Sequence, residues 1–154
     1  MVIVLVERQR LRFEVPMSAD CLFCKIIRGE IPCAKVYEND AVLAFLDIAP
    51  VNKGHTLVIP KAHHADIYDL PPALGAQLLE AVQAVGASFK GALGATGMNL
   101  GMNNGASAGQ MVFHAHWHLI PRFEGDGLSL WPQKSYASID EMSELARKIA
   151  SYIR

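Results

Sequence analysis

Three histidines at alternate positions carry the strongest chemical signal in this chain. They are His114, His116 and His118, within Val112-Phe113-His114-Ala115-His116-Trp117-His118-Leu119-Ile120. On an extended strand alternate residues share a face, so the three imidazoles line one side and Phe113, Ala115, Trp117 and Leu119 the other. Three imidazoles in a row are poor core filling, because each needs a hydrogen-bond partner or costs free energy when buried. A neutral imidazole is, however, a good nucleophile at phosphorus, its pKa lying near neutrality. Just ahead lies Asn103-Asn104-Gly105-Ala106-Ser107-Ala108-Gly109-Gln110. Small residues and glycines let backbone N–H groups turn toward an anion. Alone the loop reads as a turn; ahead of three histidines it reads as a phosphate cradle. One histidine then attacks while its neighbours orient it, stabilise phosphoryl oxygens or handle protons.

A second signal is Cys21-Leu22-Phe23-Cys24, whose two-residue spacing suits half of a tetrahedral zinc site. No second Cys pair exists, so the remaining ligands must be histidines distant in sequence. Cys33 has no partner in the pattern and reads as structural.

These residues need elements to position them. A short helical piece runs from the cysteines through Lys25-Ile26-Ile27 and stops near Gly29 and Pro32. Lys35 to Tyr37 and Val42 to Leu46 read as a hairpin around Asn39-Asp40, and His55 to Ile59 as a third strand closed by Pro60. Asp69 and Pro71-Pro72 announce a long helix with the stripe Leu74, Leu78, Val82, Val85, Phe89 and Leu93, ended by Gly94 and Gly97. Strands follow near Met98 to Met102 and Met111 to Ile120. Ser138 with Glu141 predicts a capped last helix, striped by Ile139, Met142, Leu145, Ile149 and Ile153. Short links between most strands favour antiparallel pairing, so the class is α+β.

The chain has 154 residues, 51% of them hydrophobic and 19% charged, with net charge −1. That fits one soluble domain, residues 17–154, and argues against a duplex nucleic-acid footprint or a membrane span. A single nucleotide needs only a local site. Residues 1–16 differ in character and read either as an extra edge strand or as an upstream extension with Met17 as the biological start. The opening apolar run lacks the order of a secretory signal, and three cysteines suit a reducing compartment, so the expected location is cytoplasmic.

His-Ala-His-Trp-His-Leu-Ile resembles the signature of the histidine triad family, and Gly109-Gln110 matches its usual lead-in. The resemblance runs from Cys21 to Arg122, about two-thirds of the chain. It takes in Phe45-Leu46-Asp47-Ile48 and Gly54-His55-Thr56-Leu57-Val58-Ile59-Pro60-Lys61. The nearer branch is that of the Hint-like phosphoramidases, including bacterial members that keep a Cys-x-x-Cys pair.

That resemblance implies a sheet of about five antiparallel strands with one long helix and shorter terminal helices. It implies that His116 attacks the α-phosphorus to form a nucleotidyl-histidine, that His118 contacts the phosphoryl oxygens and that His55 sits close by. Asn103 and the amides of Gly109 to Met111 would hold the phosphate, with Gln110 nearby, and Asp47 would accept from the ribose hydroxyls. Leu22, Phe23, Ile26, Phe45 and Ile48 would form the base slot; Phe45 and Ile48 are expected in the core on any reading. Met111 stands where many members place a Ser or Thr. Gly125-Asp126-Gly127 and Trp131-Pro132 look like segments near the substrate mouth in relatives.

Cys21, Cys24, His63 and His114 would form a closed structural zinc site, with His64 able to replace His63. The implied substrates are purine nucleotides, above all adenosine 5′-phosphoramidates, processed by a homodimer with no catalytic cofactor. Three other readings stay open: cleavage of dinucleoside polyphosphates, a zinc held by all three triad histidines that activates water, and a nucleotide-binding interaction module with weak catalysis.

Overall fold

The structure, a computed structural model, describes residues 18–153. The expected extension at residues 1–16 lies outside the described residues. A first helix, α1 (Leu22–Ile27), precedes the hairpin of β1 (Lys35–Glu38) and β2 (Val42–Leu46). Asn39 makes that turn: its side-chain oxygen accepts from the Ala41 and Val42 N–H groups at 2.9 and 2.8 Å, an Asx turn. β3 (Thr56–Pro60), β4 (Gly97–Gly101) and β5 (Trp117–Arg122) complete a five-stranded sheet in the order β1-β2-β3-β5-β4, antiparallel throughout. The α+β class and the long-helix architecture are as expected from the sequence.

The two faces of the sheet have separate work, and the strand period of two explains how. Val42, Ala44, Val58 and Leu119 point to α2 (Gly75–Leu93), meeting Leu78, Val82, Val85 and Phe89 in one core. Leu43, Phe45, Leu57 and Ile59 point the other way and pack with Phe23 of α1 in a second core. α2 is thus a buttress, and the α1 face is where the chemistry-bearing residues lie. Two 3₁₀ turns, Ile67–Asp69 and Pro72–Leu74, lead into α2, so Leu74 packs from the turn rather than from the helix. Gly94, at φ 70°, caps α2 in the left-handed region that only glycine enters without strain. Gly97 opens β4 instead of ending the helix.

The histidine strand is shorter than its sequence pattern. β5 begins at Trp117, so His118 is in the strand while His114 and His116 precede it in irregular backbone. Pro60 accounts for the stop. It has no N–H to donate, and its carbonyl accepts from the His114 ring at 2.8 Å instead of from a ladder partner. The Ala115 N–H goes to His64 O at 2.6 Å.

The last helix, α3 (Ile139–Ala150), starts on a Ser138 cap whose hydroxyl accepts from the Glu141 N–H at 3.1 Å. Its apolar stripe forms, yet none of its residues is buried. No helix among the described residues is long and apolar enough to cross a membrane.

Candidate active site and metal centre

The first histidine of the triad turns away from the other two. His114 is fully buried, and its Nε2–H donates to the Pro60 carbonyl, which leaves the Nδ1 lone pair free. That lone pair faces Cys21 Sγ at 3.5 Å, Cys24 Sγ at 3.7 Å and His63 Nδ1 at 3.3 Å, while Cys24 Sγ lies 3.4 Å from His63 Nδ1. A tetrahedral zinc with bonds of about 2.0–2.1 Å to nitrogen and about 2.3 Å to sulfur has N–N edges of about 3.3 Å and N–S edges of about 3.6 Å. The four side chains therefore already stand at the corners such an ion requires. Burial lowers the His114 pKa to about 4, so the ring is neutral and able to ligate at neutral pH. Burial also pushes the Cys24 thiol up, so that thiol keeps its proton until a cation displaces it. His63, not His64, joins the cluster; His64 Nδ1 stands 3.6 Å from an Asp69 carboxylate oxygen.

The other histidines form a hydrogen-bonded chain. The Val51 N–H donates to His55 Nδ1 at 3.2 Å, so a neutral His55 carries its proton on Nε2. That Nε2–H donates to His118 Nδ1 at 2.9 Å, which places the His118 proton on Nε2. His118 Nε2 is buried and has no hydrogen-bond partner within the described chain. It is an N–H donor waiting for an acceptor. Burial lowers the pKa of His55, with Asp47 opposing, and lowers that of His118 to about 4, helped by neighbouring His116 and His55. His116 is fixed separately: its Nδ1–H donates to its own chain at His114 O, 2.6 Å away. The lone pair is left on Nε2, the arrangement a nucleophile needs.

His116 and His118 open on a cavity of about 580 Å³, within the range of small-ligand sites. Phe23 and Phe45 are buried in its wall, and Phe23 meets the His116 ring edge to face at 5.3 Å. Phe23 also lies 5.8 Å from the His114 ring, so one side chain of α1 touches both histidine groups. Asp47, Asn103, Gly109, Met111, Leu22, Ile26 and Ile48 line the same cavity. The Asp47 carboxylate accepts the Ala49 N–H at 2.9 Å and stands 3.6 Å from His55 Nδ1. Gly109 has φ 89°, and a Cβ there would press on Asn103 Nδ2 at 3.4 Å, so glycine keeps the loop and Asn103 close.

Two expected site residues lie outside that lining. His55 borders an adjoining hollow and acts on the cavity through His118. Gln110 is turned into the loop: its side chain accepts from the Gly105 N–H and donates to the carbonyls of Ala65 and Val112 at 2.8, 2.6 and 3.1 Å. Ile48, expected in the core, is fully exposed at the cavity mouth because it follows the end of β2. The stretch from Ile31 to Ala34 lines the cavity and was not anticipated. Nothing in its residue types signals a site; only the return of the chain into β1 brings it there. The three triad histidines do not converge on one point, since His114 belongs with the cysteines, and the geometry therefore does not support a single zinc held by all three.

The class defined by this fold and site is an antiparallel sheet with a histidine triad leading into β5 beside a small-ligand cavity. The chain belongs to the HIT family: the HIT domain model matches residues 28–125. It is 47% identical over 138 residues to Protein hit of Bacillus subtilis, covering 88% of this chain and 93% of that protein. It is 47% identical over 119 residues to adenylylsulfatase HINT3 of Arabidopsis thaliana, covering 77% of this chain and 59% of that one. With adenosine 5′-monophosphoramidase hnt1 of Schizosaccharomyces pombe it shares 44% identity over 137 residues, covering 87% and 98%. A crystal structure of a HIT family protein from Bacillus anthracis matches with TM-score 0.79 and 44% identity, over 90% of this chain and all of that one. A zinc-bound histidine triad protein from Mycobacterium smegmatis matches with TM-score 0.69 and 36% identity, over 86% and 97%.

Proposed function

We propose that the chain is a nucleotide hydrolase or transferase acting at the α-phosphorus of nucleoside monophosphate amides or esters, of which adenosine 5′-phosphoramidates are the preferred class. The observation that carries this reading is the His116 ring. Its Nδ1–H is tied to His114 O at 2.6 Å, so its Nε2 lone pair is the free nitrogen of a ring that lines a nucleotide-sized cavity. In the proposed reaction that nitrogen bonds to phosphorus as the bond to the leaving amine or alkoxide breaks. Water then displaces His116 from phosphorus, releasing the nucleoside monophosphate and restoring the imidazole.

The unpartnered His118 Nε2–H supports the same reading, because a phosphoryl oxygen is the acceptor that a buried neutral donor lacks. Asn103 and the backbone of Gly109 to Met111 hold the phosphate, Gln110 braces that loop from behind, and Asp47 accepts from the ribose hydroxyls. Leu22, Phe23, Ile26, Phe45 and Ile48 cover the base. The names of the adenosine 5′-monophosphoramidase and adenylylsulfatase relatives support an adenylyl substrate.

Cys21, Cys24, His63 and His114 hold a structural zinc in this reading, supported by the tetrahedral spacing of their donor atoms and by the zinc-bound relative. The ion supplies no chemistry to the reaction; it ties α1, and with it Phe23, to the segment that carries His116. No catalytic cofactor is invoked. We take the protein to be a cytoplasmic homodimer, supported by its three free cysteines and by an open β4 edge flanked by exposed Leu79, Met98 and Leu100.

The test is AMP release from adenosine 5′-phosphoramidate by the zinc-loaded protein, compared with His116→Gly. Turnover by the wild type alone is expected. Binding of the nucleotide without turnover by the wild type would instead favour an interaction module.

A further inference from the structure

The two residues between the paired cysteines belong to the nucleotide site. Leu22 and Phe23, inside Cys21-Leu22-Phe23-Cys24, both line the base slot, and Phe23 meets the His116 ring at 5.3 Å. Cys21 is the N-cap of α1, in extended backbone, and Cys24 follows on the same side of the helix. The two sulfurs thus flank the turn that carries the wall. A movement of either cysteine is a movement of the surface a base lies against.

The four donors of the metal-spaced group are unequally sheltered. Cys24 and His114 are 0% exposed. Cys21 and His63 are half-buried and border a hollow of about 430 Å³, whose lining also includes Ser18, Asp20 and the exposed Met111. A small oxidant in solvent therefore meets the Cys21 sulfur before that of Cys24. Metal binding keeps both sulfurs as thiolates, the form that attacks a peroxide. The sulfurs are also close enough to join, since all four donor atoms stand within 4.8 Å of one another. A zinc tetrahedron sets its two sulfurs about 3.8 Å apart, whereas a disulfide holds them at about 2.05 Å. The pair can hold a cation or a bond between the sulfurs, but not both.

We propose that Cys21 and Cys24 form an oxidation site: a hydroperoxide converts the pair to a disulfide, zinc leaves, and the base slot loses its fixed wall. The effect on nucleotide rests on the base-slot reading above, to which the site adds a reversible modification. Cys21 Sγ attacks one peroxide oxygen, so that an S–O bond forms as the O–O bond breaks and hydroxide leaves. Cys24 Sγ then attacks Cys21 Sγ; the S–S bond forms as the S–O bond breaks, and a second hydroxide leaves. Solvent protons convert both hydroxides to water, and the two electrons lost by the thiolates reduce the peroxide. His63 and His114 remain as two neutral donors, too few to hold the ion. Closing the bridge draws the ends of the turn together and shifts Leu22 and Phe23.

The experiment treats the zinc-loaded full chain with stoichiometric hydrogen peroxide. A chromophoric chelator reports free zinc, and intact-protein mass spectrometry reports the covalent change. Zinc should be released as the mass falls by two hydrogens, with the bridge mapping to Cys21 and Cys24, and Cys33→Ser should respond as the wild type does. Calorimetry should show AMP binding about tenfold more weakly after oxidation, with the far-UV circular dichroism retained. A phosphine reductant with added zinc should restore the affinity. Saturating AMP, by holding Leu22 and Phe23 in place, should slow zinc release several-fold. Oxygen added to Met111 while zinc stays bound, a bridge that uses Cys33, or loss of the far-UV signal would overturn the proposal and leave the α-phosphorus reading intact. AMP affinity unchanged by the disulfide would overturn the coupling to the base slot. Failure of AMP to bind the reduced, zinc-loaded protein would overturn the base-slot reading as well.

Discussion

His114 and His116 stand two residues apart, are 0% and 6% exposed, and both pack against Phe23, yet their rings face different work. His114 gives its Nε2–H to Pro60 O and turns Nδ1 toward two sulfurs and a second imidazole. His116 gives its Nδ1–H to His114 O and keeps Nε2 for the cavity. In each case the nitrogen left free is the one across the ring from the N–H that a backbone carbonyl holds. Residue type and burial are shared; the carbonyl within reach sets the tautomer and so the duty. The four donors of the metal-spaced group face one another, whereas the His55–His118 chain ends on a donor that no acceptor among the described residues satisfies.

The sharpest way to break this comparison is to remove one member at a time. His116→Gly is expected to lower kcat by at least about 10³-fold, because no neighbouring group replaces its lone pair. Metal content by atomic absorption should stay at the wild-type level. His114→Ala should do the reverse: metal is lost and the protein is destabilised by about 3 kcal/mol or more in urea unfolding. Activity should then fall in step with the folded fraction, and a strong chelator should reproduce the effect in the wild type. If His116→Gly emptied the metal site, the two groups would be one.

A smaller effect tests the relay. His55→Phe removes the donor that holds the His118 proton on Nε2, and kcat is expected to fall about 10–100-fold with metal content unchanged. Nitrogen NMR of the His118 ring should show the tautomer becoming mixed. The smallest expected change is in stability against pH. The folded pKa of His118, about 4, lies below its ordinary value of 6.5. The unfolded chain therefore binds the proton first as pH falls, so the contribution is present above pH 6.5 and is lost progressively toward pH 4. Unfolding free energy should drop by about 1–2 kcal/mol between pH 7 and pH 5 from this residue, a loss absent in zinc-loaded His118→Asn.

Much of the frame was legible because local rules and tertiary packing agree. The Asn39 turn, the α2 stripe from Leu78 to Phe89 and the Ser138 cap each follow from residue type and spacing. The histidine strand was legible in its alternation but not in its length. Pro60 ends the ladder from a neighbouring strand, and no window around His114 contains that information. Gln110 looked like part of a phosphate loop, yet its amide is consumed by Gly105, Ala65 and Val112, and the Ala65 contact depends on the return of a segment 45 residues upstream. Ile48 follows the end of β2, where the alternation that buries Phe45 no longer applies. Individual residue types were readable; the partners of each ring nitrogen and side-chain amide came only with the fold.

The most direct test of the division between the two histidine groups is intact-protein mass spectrometry of millisecond acid-quenched reactions with an adenosine 5′-phosphoramidate. It should be run on the zinc-loaded wild type and on His116→Gly. The account predicts one adenylyl adduct on the wild type, mapping to His116 and decaying as AMP appears, and none on the variant. An adduct that persists in His116→Gly, or AMP release from the wild type with no adduct at any quench time, would contradict it.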